Sequence, residues 1–237
     1  MAISQLEYRF LRIAHQNGLL PKRPAILEFG ETETLGLNIA DLVADPALVP
    51  DEGVRAALTD RARRLTGGPG PNFAAAKLLY EALYAPSSYT AVDLHGTPDA
   101  IRADLNHPLS LGRQYDLCIN NGTSEHIFNQ FQFYKTIHDH TLPGGMIMHW
   151  TPTFGWANHG LYNVQPGFFF DLSYANGYEV AMICLGTDRN LYRLTDGNIG
   201  SDLLARYPDM NNALTFALLR KTSDADFQVP QQGCYRQ

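Results

Sequence analysis

The sequence predicts an α/β protein built on a mostly parallel sheet with helices wound over both faces. Three observations predict it. Short apolar runs ending in polar residues recur at Ala25-Ile-Leu-Glu28-Phe-Gly30, Tyr89-Thr-Ala-Val-Asp93 and Asp116-Leu-Cys-Ile-Asn-Asn121. Each reads as a buried strand that delivers its last side chains to the edge where open α/β sheets bind ligands. Segments of helical period separate the runs, and that alternation marks parallel units. Finally, Leu142-Pro-Gly-Gly145 makes a tight turn into a further strand, Met146-Ile-Met-His149-Trp150.

Taken in chain order, residues 3–16 form an amphipathic helix with Leu6, Phe10 and Ile13 on one side, and residues 1–23 are read as an N-terminal helix beside the main domain of 24–221. From Leu37 to about Tyr84 the chain is longer than one crossover helix needs. It holds an Asp- and Pro-rich stretch from Val43 to Val54, a charged helix from Arg55 to Leu65, the breaker Gly67-Gly-Pro-Gly-Pro71, and a crossover helix from Phe73 to Tyr84. Residues 37–72 thus read as a helical insertion, either a lid over the site or a surface excursion. After Asn121, Thr123 or Ser124 is placed to cap a helix beginning near Glu125, with Phe128, Phe131, Phe133, Tyr134 and Ile137 on one face. A helix from Gly167 ends at Asn176-Gly177, the strand Tyr178 to Leu185 follows, and Asn212 to Lys221 supplies the last strand. Residues 222–237 read as a loose tail.

With these elements in place, residues 24–221 resemble the class I S-adenosylmethionine-dependent methyltransferases. Glu28-Phe-Gly30 is similar to the start of their first motif, Asp93 to the acid that binds the cofactor's ribose, and Ala103-Asp104-Leu105 to the acidic turn beside adenine. Tyr115-Asp116 and Glu125-His126 resemble the fourth motif and a Glu-His pair found in several small-molecule O-methyltransferases. Leu142-Pro-Gly-Gly145 matches the turn before the fifth strand. The resemblance implies a Rossmann-like doubly wound sheet with an antiparallel last strand, S-adenosylmethionine as cofactor, and cofactor contacts from Glu28, Gly30, Asp93, Asp104 and Asn120. One departure stands out: the family's Gly-x-Gly-x-Gly loop is replaced here by Gly30 followed by Glu31, Thr32, Glu33 and Thr34. Glu31 and Glu33 would repel a dinucleotide's pyrophosphate but suit a positive sulfonium, so the loop favours the methyl donor over NAD.

Bulk properties narrow the function without naming it. The chain has 237 residues, 45% of them hydrophobic, and a net charge of −6 with no basic run, which argues against a nucleic-acid partner. Cys118, Cys184 and Cys234 are too few and too scattered for a disulfide framework or a cysteine zinc site. There is no signal-peptide pattern and no run of about 18 apolar residues, so a cytoplasmic protein without a membrane partner is expected, acting on a small molecule and compatible with a homo-oligomer.

The second chemical cluster is Thr151-Pro-Thr-Phe-Gly-Trp156-Ala-Asn158-His159-Gly160-Leu-Tyr162-Asn163, read as a loop over the sheet edge. Trp156 and Tyr162 could wall an acceptor pocket, with His149, Asn158 and Asn163 orienting the substrate; alternatively the segment is a turn with a mini-core. His126, His149 and His159 fall at the ligand edge, and a histidine can take the proton from a hydroxyl during methyl transfer. His159 is the first choice as base, His126 the second, and Glu125 the orienting group. His138 and His140 are expected at the opposite edge, serving helix carbonyls. No metal is expected, although Glu125, His126, His149 and His159 offer an alternative in which a methyltransferase fold works as a metal-assisted hydrolase or lyase, or as a ligand-binding partner without methyl transfer.

Overall fold

The computed structural model describes residues 2–65, 72–195 and 211–235. A two-residue strand β1 (Ala2–Ile3) leads into α1 (Gln5–Gln16), whose start is fixed by a capping box between Ser4 and Glu7. Next come β2 (Ala25–Phe29), β3 (Glu33–Thr34) in parallel with β1, and the helices α2 (Ile39–Val43), α3 (Glu52–Leu65) and α4 (Phe73–Tyr84). Then follow β4 (Ser88–Asp93), β5 (Ile101–Arg102), β6 (Tyr115–Asn121), α5 (Gln130–His140) and β7 (Thr141–Phe154). The described chain is completed by α6 (Pro166–Asn176), β8 (Glu179–Gly186), β9 (Leu191–Leu194) and β10 (Ala213–Arg220).

Eight strands form one sheet in the order β5-β4-β2-β6-β7-β10-β8-β9. The pairs from β5 to β7 are parallel, whereas β10 runs antiparallel between β7 and β8, and β9 is an antiparallel edge. This is the expected doubly wound sheet with an antiparallel last strand. Side chains alternate between two covered faces, as strand geometry requires. Ile26, Leu117, Ile119, Met148, Trp150, Phe216 and Leu218 pack toward α1 to α4, while Leu27, Phe29, Cys118, Ile147, Ala217 and Leu219 pack toward α5 and α6. Phe10 of α1 stacks on Phe216 with ring centroids 4.9 Å apart, tying the first helix to the last strand. Strand order reverses between β2 and β6, so the crevice opens beside Gly30 and Asn121.

Several elements differ from expectation. Helix α5 begins at Gln130, not near Glu125, because Asn129 caps it and Ser124–His126 is a single 3₁₀ turn. Phe128 and Phe131 are consequently 74% and 52% exposed, leaving Phe133, Tyr134 and Ile137 to cover the sheet. β7 runs on to Phe154 because β10 pairs with it throughout, so the first four residues of the expected loop are strand. In the insertion, Ile39, Val43, Leu48, Val49, Leu58 and Ala62 are buried in the core shared with α1 and α4, which is the packing of a fixed layer. The breaker Gly67–Pro71 lies outside the described residues. The tail is pinned by Gln228, which exchanges two hydrogen bonds with Asn176, by Gly233 N, which donates to Asp171 Oδ2, and by Ala225 O, which accepts from His138 Nε2 at 2.8 Å. His140 Nδ1 donates to Thr136 O, a helix carbonyl, at the edge opposite the crevice.

Candidate functional site

A cleft of about 340 Å³ opens at the C-terminal ends of β2, β4 and β6, lined by Gly30, Asp93, Leu94, His95, Asp104, Leu105, Thr123, His126 and Ile127 among others. Gly30 holds φ +83°, and a Cβ there would lie 2.0 Å from Thr123 Oγ1. Only glycine supplies both the conformation and the clearance. Thr123 is fixed in turn by donating to Phe29 O at 2.7 Å.

Asp93 sits at the rim. Its Oδ2 accepts from Glu31 N at 2.8 Å and its Oδ1 from His95 N at 2.6 Å. Each carboxylate oxygen keeps a second acceptor position, so Asp93 can still receive a pair of hydroxyls. Asp104 stands exposed across the cleft, and the amide and side chain of Asn106 hold its carboxyl below the usual range. Between the acids, Leu94, Leu105 and Ile127 give apolar contact. The cleft thus joins carboxylate acceptors to an apolar stretch.

Two expected cofactor contacts do not reach the cleft. Glu28 is fully buried and accepts from Tyr80 Oη, Tyr89 Oη and Thr32 N, so it fastens the loop after β2 to α4. Burial raises its pKa despite these donors. Asn120 is also fully buried; its Oδ1 accepts from the amides of Thr123 and Ser124, and its Nδ2 donates to Ser124 Oγ and His149 Nδ1. Both polar groups face inward because each side of the sheet is covered. The expected acidic lining by Glu31 fails as well. Its carboxylate is sequestered with Lys77 Nζ at 2.8 Å and with the amide and hydroxyl of Thr97. Burial pushes this carboxyl up, but Lys77 and Thr97 outweigh it and hold it below the ordinary range.

Next to the cleft, Glu125, His126 and His159 converge, with one ligand-capable atom from each lying within 4.8 Å of the others. Glu125 O accepts from Leu161 N at 2.7 Å and Tyr162 N at 3.2 Å, which locks the loop after β7 onto the 3₁₀ turn. Gly160 packs so closely that a Cβ would meet Glu125 O at 2.9 Å. Glu125 is 1% exposed, and its Oε1 lies 3.6 Å from His159 Nε2. Its Oε2 has no hydrogen-bond partner, and burial pushes the carboxyl up to about 8. His126 and His159 are exposed, their rings 5.2 Å apart. Partial desolvation, then the neighbouring His159, lowers the pKa of His126.

The remaining candidates mostly hold the loop in place. Trp156 and Asn158 take left-handed φ values of +58° and +62°, a conformation that costs an ordinary residue roughly 1–2 kcal/mol. The turn is held because Trp156 N donates to Asn212 Oδ1 and its indole N–H to Ala213 O. Tyr162 Oη donates to Phe128 O and Asn163 Nδ2 to Gly155 O, while Asn158 is exposed at the tip. Of these, Trp156 also touches the cluster, its ring 5.1 Å from that of His159. His149 is 1% exposed, packed against Tyr134 and Phe169, and burial lowers its pKa to about 3. It is a neutral core residue that accepts from Asn120, not a substrate contact. Sequence reasoning treated Thr123 as a helix cap, and nothing local to it signals that it closes the cleft over Gly30.

No family model and no curated protein matches the sequence. Among solved structures, the chain is similar to an S-adenosylmethionine-dependent methyltransferase from Mesorhizobium loti, at 16% identity over 91% of this chain and 97% of that one, with a TM-score of 0.45. It is also similar to the O-methyltransferase of a trans-AT PKS multienzyme from Brevibacillus brevis, solved with S-adenosyl-L-homocysteine, at 13% identity over 94% of this chain and 74% of that one, with a TM-score of 0.42. The strand order, rather than these distant likenesses, defines the fold. No described helix is long and apolar enough to cross a membrane.

Proposed function

We propose that the protein is an S-adenosylmethionine-dependent methyltransferase that acts on a hydroxyl or amine of a small molecule. One observation carries the reading: His126 lines the cleft that holds Asp93 and Asp104 and also belongs to the Glu125–His159 cluster, so a donor seated in the first has its reactive end beside the second. Asp93 receives the ribose hydroxyls, Asp104 borders the adenine slot, and Gly30 lets the chain pass close to the donor. The cofactor, when bound, supplies an activated methyl group. The protein supplies proximity, and His159, exposed at the mouth and facing Glu125, takes the acceptor's proton.

Calorimetric titration with S-adenosylmethionine tests this proposal. Asp93→Asn keeps one acceptor oxygen and should weaken binding by about 1.5–3 kcal/mol, the scale of a hydrogen bond to a charged group. Wild-type protein that shows no heat of binding at millimolar donor would overturn the assignment.

A further inference from the structure

Among the described buried acids around the cleft, Glu125 keeps a carboxylate oxygen that no donor meets. Glu28, Glu31 and Asp93 each have both oxygens engaged by protein donors. Glu125 is nearly as buried as Glu28, yet Oε2 meets no donor, and Oε1 lies 3.6 Å from His159 Nε2. Among the described residues no lysine or arginine pairs with it. A buried carboxylate oxygen left without a donor is unfavourable, while the backbone around it is tightly fixed by Leu161 N and Gly160. The scaffold is set and its polar end is open.

We propose that Glu125, His126 and His159 form a binding site for a divalent transition ion of the zinc class. Two imidazoles and one carboxylate are a ligand set that suits zinc with a fourth position open, and they are poor ligands for magnesium, which demands an octahedron of oxygens. Bonds of about 2.0–2.2 Å place tetrahedral ligand atoms roughly 3.3 Å apart. The Glu125–His159 separation is already close to that value, and rotation of the two exposed imidazoles closes the remainder without moving the backbone. His149 lies outside the set because Asn120 holds its Nδ1. The site stands independently of methyl transfer; only its role rests on that reading. There, with the ion bound, His159 would serve as a ligand in place of the base, and the open position would take the acceptor's oxygen and make its proton easier to lose.

The test is titration of metal-free protein with Co²⁺, followed by visible absorption, then competition with Zn²⁺ and with Mg²⁺. One equivalent of Co²⁺ should give absorption bands of a low-coordinate site, and Zn²⁺ should displace it where Mg²⁺ does not. His126→Ala/His159→Ala should weaken Co²⁺ binding by more than the roughly 10- to 100-fold that loss of an outer-shell partner costs. Both histidines are exposed, so the variant's melting temperature without metal should be unchanged. Equal Co²⁺ binding by wild type and variant, absence of bands at millimolar Co²⁺, or equal displacement by Mg²⁺ would each overturn the site. No methyl donor enters the titration, so a protein that binds Co²⁺ and transfers no methyl group keeps the site and refutes only the proposed activity.

Discussion

Replacing Gly30 by alanine brings a methyl group to 2.0 Å from Thr123 Oγ1 at a backbone φ of +83°. The conformation alone costs an alanine roughly 1–2 kcal/mol. Thr123 must also swing aside and give up its hydrogen bond to Phe29 O, about 0.5–1.5 kcal/mol more. A loss of about 1.5–3.5 kcal/mol follows, and for a domain of this size each kcal/mol lowers the melting point by roughly 2–4 °C. The contact makes a sharper claim than the sum. Thr123→Ala alone should cost only the hydrogen bond, and in the double variant the 2.0 Å contact with Oγ1 is gone, leaving a tight 3.1 Å contact with the Cβ of residue 123 that a shift of a few tenths of an ångström relieves. Gly30→Ala/Thr123→Ala should therefore be no less stable than Gly30→Ala, a coupling detectable by urea unfolding of all four proteins. Simple additivity of the two single losses would refute the close packing of Gly30 against Thr123.

Other perturbations test the networks around the cleft. Lys77→Met strands the buried Glu31 carboxylate and should cost up to about 3 kcal/mol, the low end for a broken buried pair because Thr97 still donates twice; adding Glu31→Gln should restore much of it, as read by chemical denaturation. Because burial depresses His149, its share of the stability is complete above pH 6.5 and drains away as the pH falls toward about 3. His149→Gln, which can still accept from Asn120, should flatten the melting temperature over that window, and an unchanged acid slope would remove His149 as its source. His159→Ala should cut methyl-transfer turnover by about 10²- to 10⁴-fold while leaving donor affinity intact, and normal turnover would exclude it from the chemistry.

The strands were readable because the runs at Ala25, Tyr89, Asp116, Met146, Tyr178 and Asn212 are apolar over the length of a buried strand and end in polar or turn residues. What the sequence hid was long-range pairing. The Thr123-Ser124-Glu125 pattern looks like a helix start, yet the amides of Thr123 and Ser124 are satisfied by Asn120 Oδ1, and the helix waits for Asn129. Glu31 looks free to face a cation in the ligand, and Lys77, 46 positions away, claims it instead. Glu28 and Asn120 sit near strand ends and His149 near the end of its apolar run, where polarity suggests a site, but in a sheet covered on both faces an inward polar side chain serves the interior equally well. Gly30, Asp93 and Asp104 line the cleft, and Glu125, His126 and His159 meet beside it because Gly160 allows the loop to settle on the 3₁₀ turn.

The position of β10 has a bearing on how the chain is made. A strand that comes late in synthesis fills the gap between β7 and β8, so a nascent chain that has reached residue 195 already carries the parallel half and the β8–β9 hairpin with nothing to join them. At roughly 5–20 residues per second that interval lasts a few seconds, during which the flank of β7 from Met146 to Phe154 lies open to any other strand. A ribosome that stalls in that interval releases two unsealed edges and a product that belongs to the chaperones.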